Sequence, residues 1–122
     1  MSSILNFELA QGDTMAVGIT ITNSLTGSAP TPDLTAVEFL VKNSLTDADA
    51  AAILARHTDT AAQLTIDDAN AWTCTIKATS AETAALTAGR YKCVCTTEDA
   101  GSNTIEAFRG DFVIHPRGSD PS

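Results

Sequence analysis

Three cysteines and two histidines are the side chains best suited to metal binding or nucleophilic chemistry in this chain. Cys93 and Cys95 are two residues apart, while Cys74, His57 and His115 lie elsewhere. Residues two apart on a strand point to the same side, so the two closer thiols would be parallel and would not converge on one ion. None of the five residues has a neighbour at the spacing of a zinc motif. We therefore predict no metal site and no cofactor, with the thiols buried as small apolar side chains.

Catalysis would need a nucleophile beside a base, or a pair of carboxylates in a cleft. A reactive cysteine requires a nearby histidine and a lowered thiol pKa, which an acidic chain does little to provide. His57 lies in a polar segment and His115 ends the last predicted strand, so both are expected to be solvated. The sequence predicts no catalytic residue, no enzymatic activity and no small-molecule substrate.

Two short motifs have better structural explanations than functional ones. Asp47-Ala48-Asp49 resembles the start of a calcium loop, but the loop glycine and the terminal glutamate are missing, so we predict a solvated acidic turn. Arg109-Gly110-Asp111 could act as a cell-attachment motif only on an exposed loop tip. Because it lies between Phe108 and Phe112, we expect it in the middle of a strand, with both charged side chains on the outer face.

The longest alternating stretch, Leu86 to His115, predicts a β-hairpin that organises the fold. Its turn is expected within Glu98 to Asn103, where Gly101 can adopt a positive φ. The predicted inward side chains are Tyr91, Cys93 and Cys95 in the first strand, and Phe108, Phe112 and Ile114, with Gly110 among them, in the second.

Alternation predicts three earlier strands, at Ile4–Leu9, Thr14–Asn23 and Leu34–Lys42. The loop Ser24–Asp33 contains two prolines and cannot be a central strand. The side chains predicted to point inward are Met15, Val17, Ile19 and Ile21 in the second strand and Val37, Phe39 and Val41 in the third, with Glu38 and Lys42 outward.

The segment from Asn43 to Thr60 has two interpretations. Ala48–Arg56 has the composition of a helix, and Asp47 could cap it. The run is short and lies between strands, so we predict a turn at Asp47–Ala50 and a strand at Ala52–Thr58, with the helix as the alternative.

The remaining segments complete an all-β pattern. Ala62–Ile66 and Ala71–Lys77 predict a second hairpin with Leu64, Ile66, Trp72, Cys74 and Ile76 inward. Thr79–Ala88 predicts one helical turn, with Ser80 as its capping residue. About seven short strands with turns roughly every ten residues indicate an antiparallel immunoglobulin-like β-sandwich. Tyr91, two residues before Cys93, fits the tyrosine corner of that fold, whereas Trp72 is not on the strand that usually carries the core tryptophan.

Length and charge limit the organisation and the partners. The 122 residues carry seven basic and fifteen acidic side chains, for a net charge of −8. We predict one domain over 1–115 and a flexible tail at 116–122. The acidic balance argues against nucleic acid and anionic membranes as partners. No long apolar run or signal peptide is recognised, and an odd number of cysteines suits a reducing cytosol.

Three pieces of the chain together resemble a known family. They are Gln11-Gly12-Asp13-Thr14 before the Met15 strand, Val41 to Ala51, and Leu86 to Tyr91 with the closing strand Phe108 to Val113. This pattern is similar to the small immunoglobulin-like structural proteins of tailed bacteriophages, and to the N-terminal domains of upper baseplate proteins. The resemblance covers about Phe7 to Ile114. Two features depart from it: the chain has a single domain, and Cys93-x-Cys95 is not part of the pattern.

The resemblance implies a non-enzymatic virion subunit, made and assembled in the host cytoplasm. It would serve as a tail, neck or baseplate accessory or as a capsid decoration, contacting other virion proteins and copies of itself. The alternative is a stand-alone β-sandwich module that binds a carbohydrate or a receptor. Such modules usually display aromatic side chains, and the single Trp and single Tyr of this chain are both predicted to point inward.

Overall fold

The structure is a computed structural model that describes residues 3–21, 33–48 and 51–116. The predicted tail beyond Pro116 and most of the predicted loop Ser24–Asp33 lie outside these ranges. Within them the chain is almost entirely β, as the alternation predicts. The strands are β1 Ser3–Ile4, β2 Phe7–Ala10, β3 Met15–Thr20, β4 Leu34–Lys42, β5 Leu54–His57, β6 Leu64–Asp68, β7 Thr73–Ala78, β8 Gly89–Asp99 and β9 Thr104–His115, with one helix, α1 Ser80–Ala84.

Two sheets form the sandwich. The larger has the order β1–β9–β8–β4–β5, with β2 also pairing with β9, and the smaller has the order β3–β7–β6. The β9–β8–β4 part with β5 at its edge corresponds to the immunoglobulin sheet that contains the F–G hairpin, and β3, β7 and β6 correspond to the opposite sheet. All pairings are antiparallel except those of β1 and β2, which run parallel to β9. The all-β sandwich is confirmed, with about nine strands where about seven were predicted.

The core lies between the inner faces that the alternation identifies. Four phenylalanines form its centre, with ring centroids of Phe7 and Phe39 5.3 Å apart. The other members come from both sheets, because neither sheet can bury its apolar face alone. The predicted inward residues that are buried include Met15, Ile19, Val37, Phe39, Val41, Leu64, Trp72, Cys74, Ile76, Tyr91, Cys93, Cys95, Phe108, Phe112 and Ile114.

The tyrosine corner predicted for Tyr91 is present. Its hydroxyl donates a hydrogen bond of 2.7 Å to the Thr87 carbonyl oxygen, four residues upstream. The ring is buried where the chain crosses from the smaller sheet to the larger one. This contact fixes the entrance to β8, the strand that carries two of the three thiols.

The predicted strand at Ala52–Thr58 is confirmed, and its helical alternative is wrong. Leu54 to His57 pairs with β4 from Val41 back to Glu38. Lys42 was predicted to point outward, and it lies on the same face as its exposed cross-strand neighbour Lys92, but only 5% of its surface is exposed. The turn after β4 folds back over it, and its ammonium donates to the Asp47 carbonyl oxygen at 3.1 Å.

Two local details also differ from prediction. The helix is capped by Thr79 and not by Ser80, because Thr79 and Glu82 form a reciprocal capping box. In the β8–β9 turn the positive φ belongs to Ser102, at 63°, and not to Gly101. The carboxylate of Asp99 accepts hydrogen bonds from the amides of Gly101 and Asn103, and it holds the turn in this form.

Candidate interaction surface

The three thiols are in the core, as predicted, and are poorly placed for chemistry. Cys74, Cys93 and Cys95 are free and fully buried. Burial raises the pKa of Cys74 and Cys93 to about 11, with smaller contributions from Asp67 and Asp111. Burial also raises the pKa of Cys95. Because the thiolate is the reactive form, these groups act as apolar packing.

The histidines and acidic residues do not converge on a common point. His57 lies 3.3 Å from the Asp59 carboxylate, and His115 lies 2.8 Å from that of Glu8 on the neighbouring strand. The carboxylate of Asp47 accepts from the Ser44 amide, which closes a local turn. Within residues 3–21, 33–48 and 51–116, no cluster of His, Cys, Asp and Glu could hold a metal ion.

The Arg109-Gly110-Asp111 tripeptide lies in the middle of β9, as predicted. The guanidinium of Arg109 makes two hydrogen bonds to the Glu106 carboxylate, at 3.0 and 2.8 Å. The carboxylate of Asp111 pairs with the Lys92 ammonium at 2.5 Å on β8. Both charges are thus engaged within the sheet, and the geometry of a loop-tip attachment motif is not formed.

Gly110 is instead the residue against which the N-terminal segment packs. The segment leaves the ladder between β1 and β2, and the Leu5 carbonyl oxygen comes within 2.1 Å of the position that a Cβ on Gly110 would occupy. Two hydrogen bonds of 2.9 Å hold this crossing: the Leu5 amide donates to the Arg109 carbonyl oxygen, and the Asp111 amide donates to the Asn6 side chain. Only glycine permits such a close backbone approach.

This crossing presents apolar side chains outward on a fixed backbone. Ile4 is 78% exposed and Leu5 39% exposed, whereas Phe7, two residues after Leu5, packs against the core. A concavity of about 310 Å³ lies beside them, lined by Ile4, Asn6, Leu45, Lys92, Arg109, Gly110 and Asp111. We call Ile4, Leu5, Asn6, Leu45 and Arg109 the N-terminal edge surface.

Sequence reasoning placed an N-terminal strand and expected contacts through it, but it missed the crossing of this segment at Gly110. The signal available was Gly110, a glycine among large inward residues of a strand, which marks a close backbone approach. Nothing in the local pattern shows that Leu5 is the residue that approaches it, since the two are far apart in the chain.

The chain has six aromatic residues, and all of them lie in the core or pack against it. Tyr91, Trp72 and three of the phenylalanines are buried, and Phe7 packs against the core rings at centroid distances of 5.3 to 5.9 Å. The surface therefore offers no aromatic ring on which a sugar could stack.

The comparisons with known proteins give no assignment. No protein-family model matches the chain, and no curated protein sequence matches it. Among the described residues, none of the helices has both the length and the apolar character needed to cross a membrane.

Proposed function

We propose that the chain is a non-enzymatic structural subunit of a tailed-phage particle, acting through protein–protein contacts as a tail, neck or baseplate accessory or as a capsid decoration. The observation that carries the proposal is the N-terminal edge surface. It combines exposed apolar side chains with a backbone that the sheet already holds in place. Such a surface can bind another virion protein with little loss of conformational freedom.

The anchoring supports this role at the level of single contacts. Phe7 fixes one side of the crossing in the core, and the Asn6 side chain replaces a ladder hydrogen bond to the Asp111 amide. Ile4 is therefore displayed at the sheet edge by a rigid support. In a symmetric particle each copy needs only a modest interface, because many identical contacts act together.

The charge and the aromatic residues bear on the competing roles. A net charge of −8 disfavours nucleic acid and anionic membranes, leaving proteins as the partners that fit best. The sugar-binding alternative lacks an exposed aromatic residue, so no structural observation favours it. On this proposal the chain is assembled in the host cytoplasm and resides in the virion.

The test is incorporation into particles. Mass spectrometry of particles purified from cells that express the chain should detect it in many copies. Ile4→Glu should reduce incorporation strongly, because it places a charge in the centre of the proposed contact. The purified variant should remain folded, because Ile4 is already mostly in solvent.

Ile105→Glu is the matched control. Ile105 lies on β9, the strand with which β1 pairs, and it is 47% exposed, but it does not line the concavity beside Ile4. This variant should be incorporated like the wild type. Absence of the wild-type chain from particles, together with tight monomeric binding to a sugar or host receptor, would overturn the proposal.

A further inference from the structure

The sandwich has four strand edges that no other strand covers among the residues described. They are formed by β1 and β2, by β5, by β3 and by β6. An open edge displays backbone donors and acceptors, and natural sheets usually protect it with charges, proline, bulges or short strands. The four edges differ sharply in this respect.

Three of the edges carry such protection. β6 ends in Asp67 and Asp68 and has a register shift against β7. β5 is only four residues long and includes Arg56, which is tied to Glu82. The N-terminal edge is interrupted between β1 and β2 and carries the exposed Glu8.

The β3 edge carries none of these devices. Residues 14–21 read TMAVGITI, with no charge and no proline. Met15 to Thr20 pairs with β7 in unbroken register. The outward residues Ala16, Gly18 and Thr20 are small and exposed. No heavy atom of the described chain lies within 4 Å of the position that a Cβ on Gly18 would take.

The backbone groups on this edge can be identified by alternation. The Ile21 amide donates to the Trp72 carbonyl oxygen at 3.0 Å, so Ile21 faces β7. In an antiparallel ladder successive residues face opposite neighbours, and therefore Ala16, Gly18 and Thr20 direct their amides and carbonyls to the open side.

Two grooves run along the same edge. One, of about 240 Å³, lies between β2 and the first half of β3, and Met15 and Val17 line it together with the acidic Glu8 and Asp13 at its far side and its end. The other, of about 220 Å³, lies between β1 and the end of β3 and includes Ile19 and Ile21. Val17 and Ile21 are only partly buried, so an added strand would cover apolar surface as well as satisfy the backbone.

We propose that β3 pairs antiparallel with β3 of a second copy, about a two-fold axis at Gly18, and so joins two three-stranded sheets into one. Gly18 then faces Gly18, Ala16 faces Thr20, and Val17 faces Ile19 of the other copy. Small residues meet on the outer face and β-branched residues meet on the inner face, as a self-complementary contact requires.

Self-complementarity about Gly18, together with charge, points to a second copy as the occupant. Two chains of −8 repel each other overall, so self-pairing is least opposed at an edge strand whose own side chains are uncharged. β3 meets this requirement, and β6 does not.

The experiment is sedimentation velocity of the purified full chain from about 5 to about 500 μM. A concentration-dependent dimer is expected. Raising NaCl from about 0.05 to about 0.5 M should tighten it, because salt screens the repulsion between the copies. A chain that stays monomeric over the whole range would overturn the proposal.

Substitutions at Gly18 test the register. Gly18→Lys and Gly18→Asp each place like charges opposite one another and should weaken the dimer about tenfold, although either side chain has room in the monomer. Mixing the two variants should restore the dimer, because unlike charges then meet. Ala55→Lys, an exposed small residue on the β5 edge, is the matched control and should dimerise normally.

A dimer that both Gly18 variants retain would place the contact elsewhere and overturn the proposed register.

Hydrogen exchange gives a second measurement that does not depend on the variants' stability. The amides of Ala16, Gly18 and Thr20 should exchange more slowly at high protein concentration than at low concentration. Equal exchange at both concentrations in a dimerising sample would contradict β3 pairing.

Discussion

Tyr91 shows how one side chain fixes the crossover between the sheets. Its buried ring packs in the core, and its hydroxyl bonds to the Thr87 carbonyl oxygen at 2.7 Å. Tyr91→Phe should lower the free energy of unfolding by about 1 kcal/mol through the lost hydrogen bond. Tyr91→Ala should lower it by about 3–5 kcal/mol, because it also removes a large buried ring. Urea unfolding measures both, and two equal, negligible effects would refute the corner assignment.

Gly110 fixes the N-terminal segment in the same way. A Cβ at this position would meet the Leu5 carbonyl oxygen at 2.1 Å and the Asn6 side chain at 2.8 Å. Gly110→Ala should therefore cost roughly 2–4 kcal/mol, since the segment must leave β9 or strain the sheet. Gly18→Ala is the control, because that site is open, and it should change stability little. Similar stabilities for the two variants in urea unfolding would count against the close approach.

The short helix α1 depends on one carboxylate with two roles. Glu82 accepts from the Thr79 amide at 2.9 Å and lies 2.9 Å from the guanidinium of the buried Arg56. These bonds hold the pKa of Glu82 below its usual 4.5, and the hydrogen bond from the Thr79 amide has the largest effect. Because the pKa of Glu82 is lower in the folded state than in the unfolded chain, its ionised carboxylate stabilises the fold at pH values above the unfolded-state pKa. This stabilisation is lost as the pH falls through the lowered pKa of the folded state.

Glu82→Gln isolates this contribution, because glutamine can still cap the helix while the charge is lost. Near pH 7 the variant should be less stable than the wild type by at most about 1 kcal/mol. The difference should shrink as the pH falls from about 5 towards about 2. Urea unfolding across this range measures it, with Glu98→Gln, at the far end of β8, as the control. A difference that does not change with pH would disprove the role of the charge.

The molecule as a whole protects its thiols through the tight contact between the two sheets. Cys74 comes from β7 in the smaller sheet, and Cys93 and Cys95 come from β8 in the larger one. Each thiol is buried and has a raised pKa. Near pH 8 the thiols of the native protein should therefore react with a disulfide reagent at least about tenfold more slowly than those of the unfolded chain. All three should react quickly once the chain is unfolded. Three fast thiols in the native protein would contradict the core placement.

The sequence alone determined the fold class and most of the core. A period of two assigns each side chain to a face, and the longest hairpin, from Leu86 to His115, places the same residues inward in pattern and in structure. In the middle segment the sequence favoured a strand over a helix, and the pairing of β5 with β4 decided between the two. The strands and their inward faces can be predicted from the sequence because they depend on residues that are close together in the chain.

Tertiary structure decided what depends on residues distant in sequence. Gly110 lies beneath Leu5, and Lys42 is covered by the turn that follows β4. The outer edges of the sheets, including the uncharged β3, are defined only once the strand order is known. Periodicity tells which face a side chain occupies, but it carries no information about which strand lies beside it. The surfaces available for contacts are set by that lateral order.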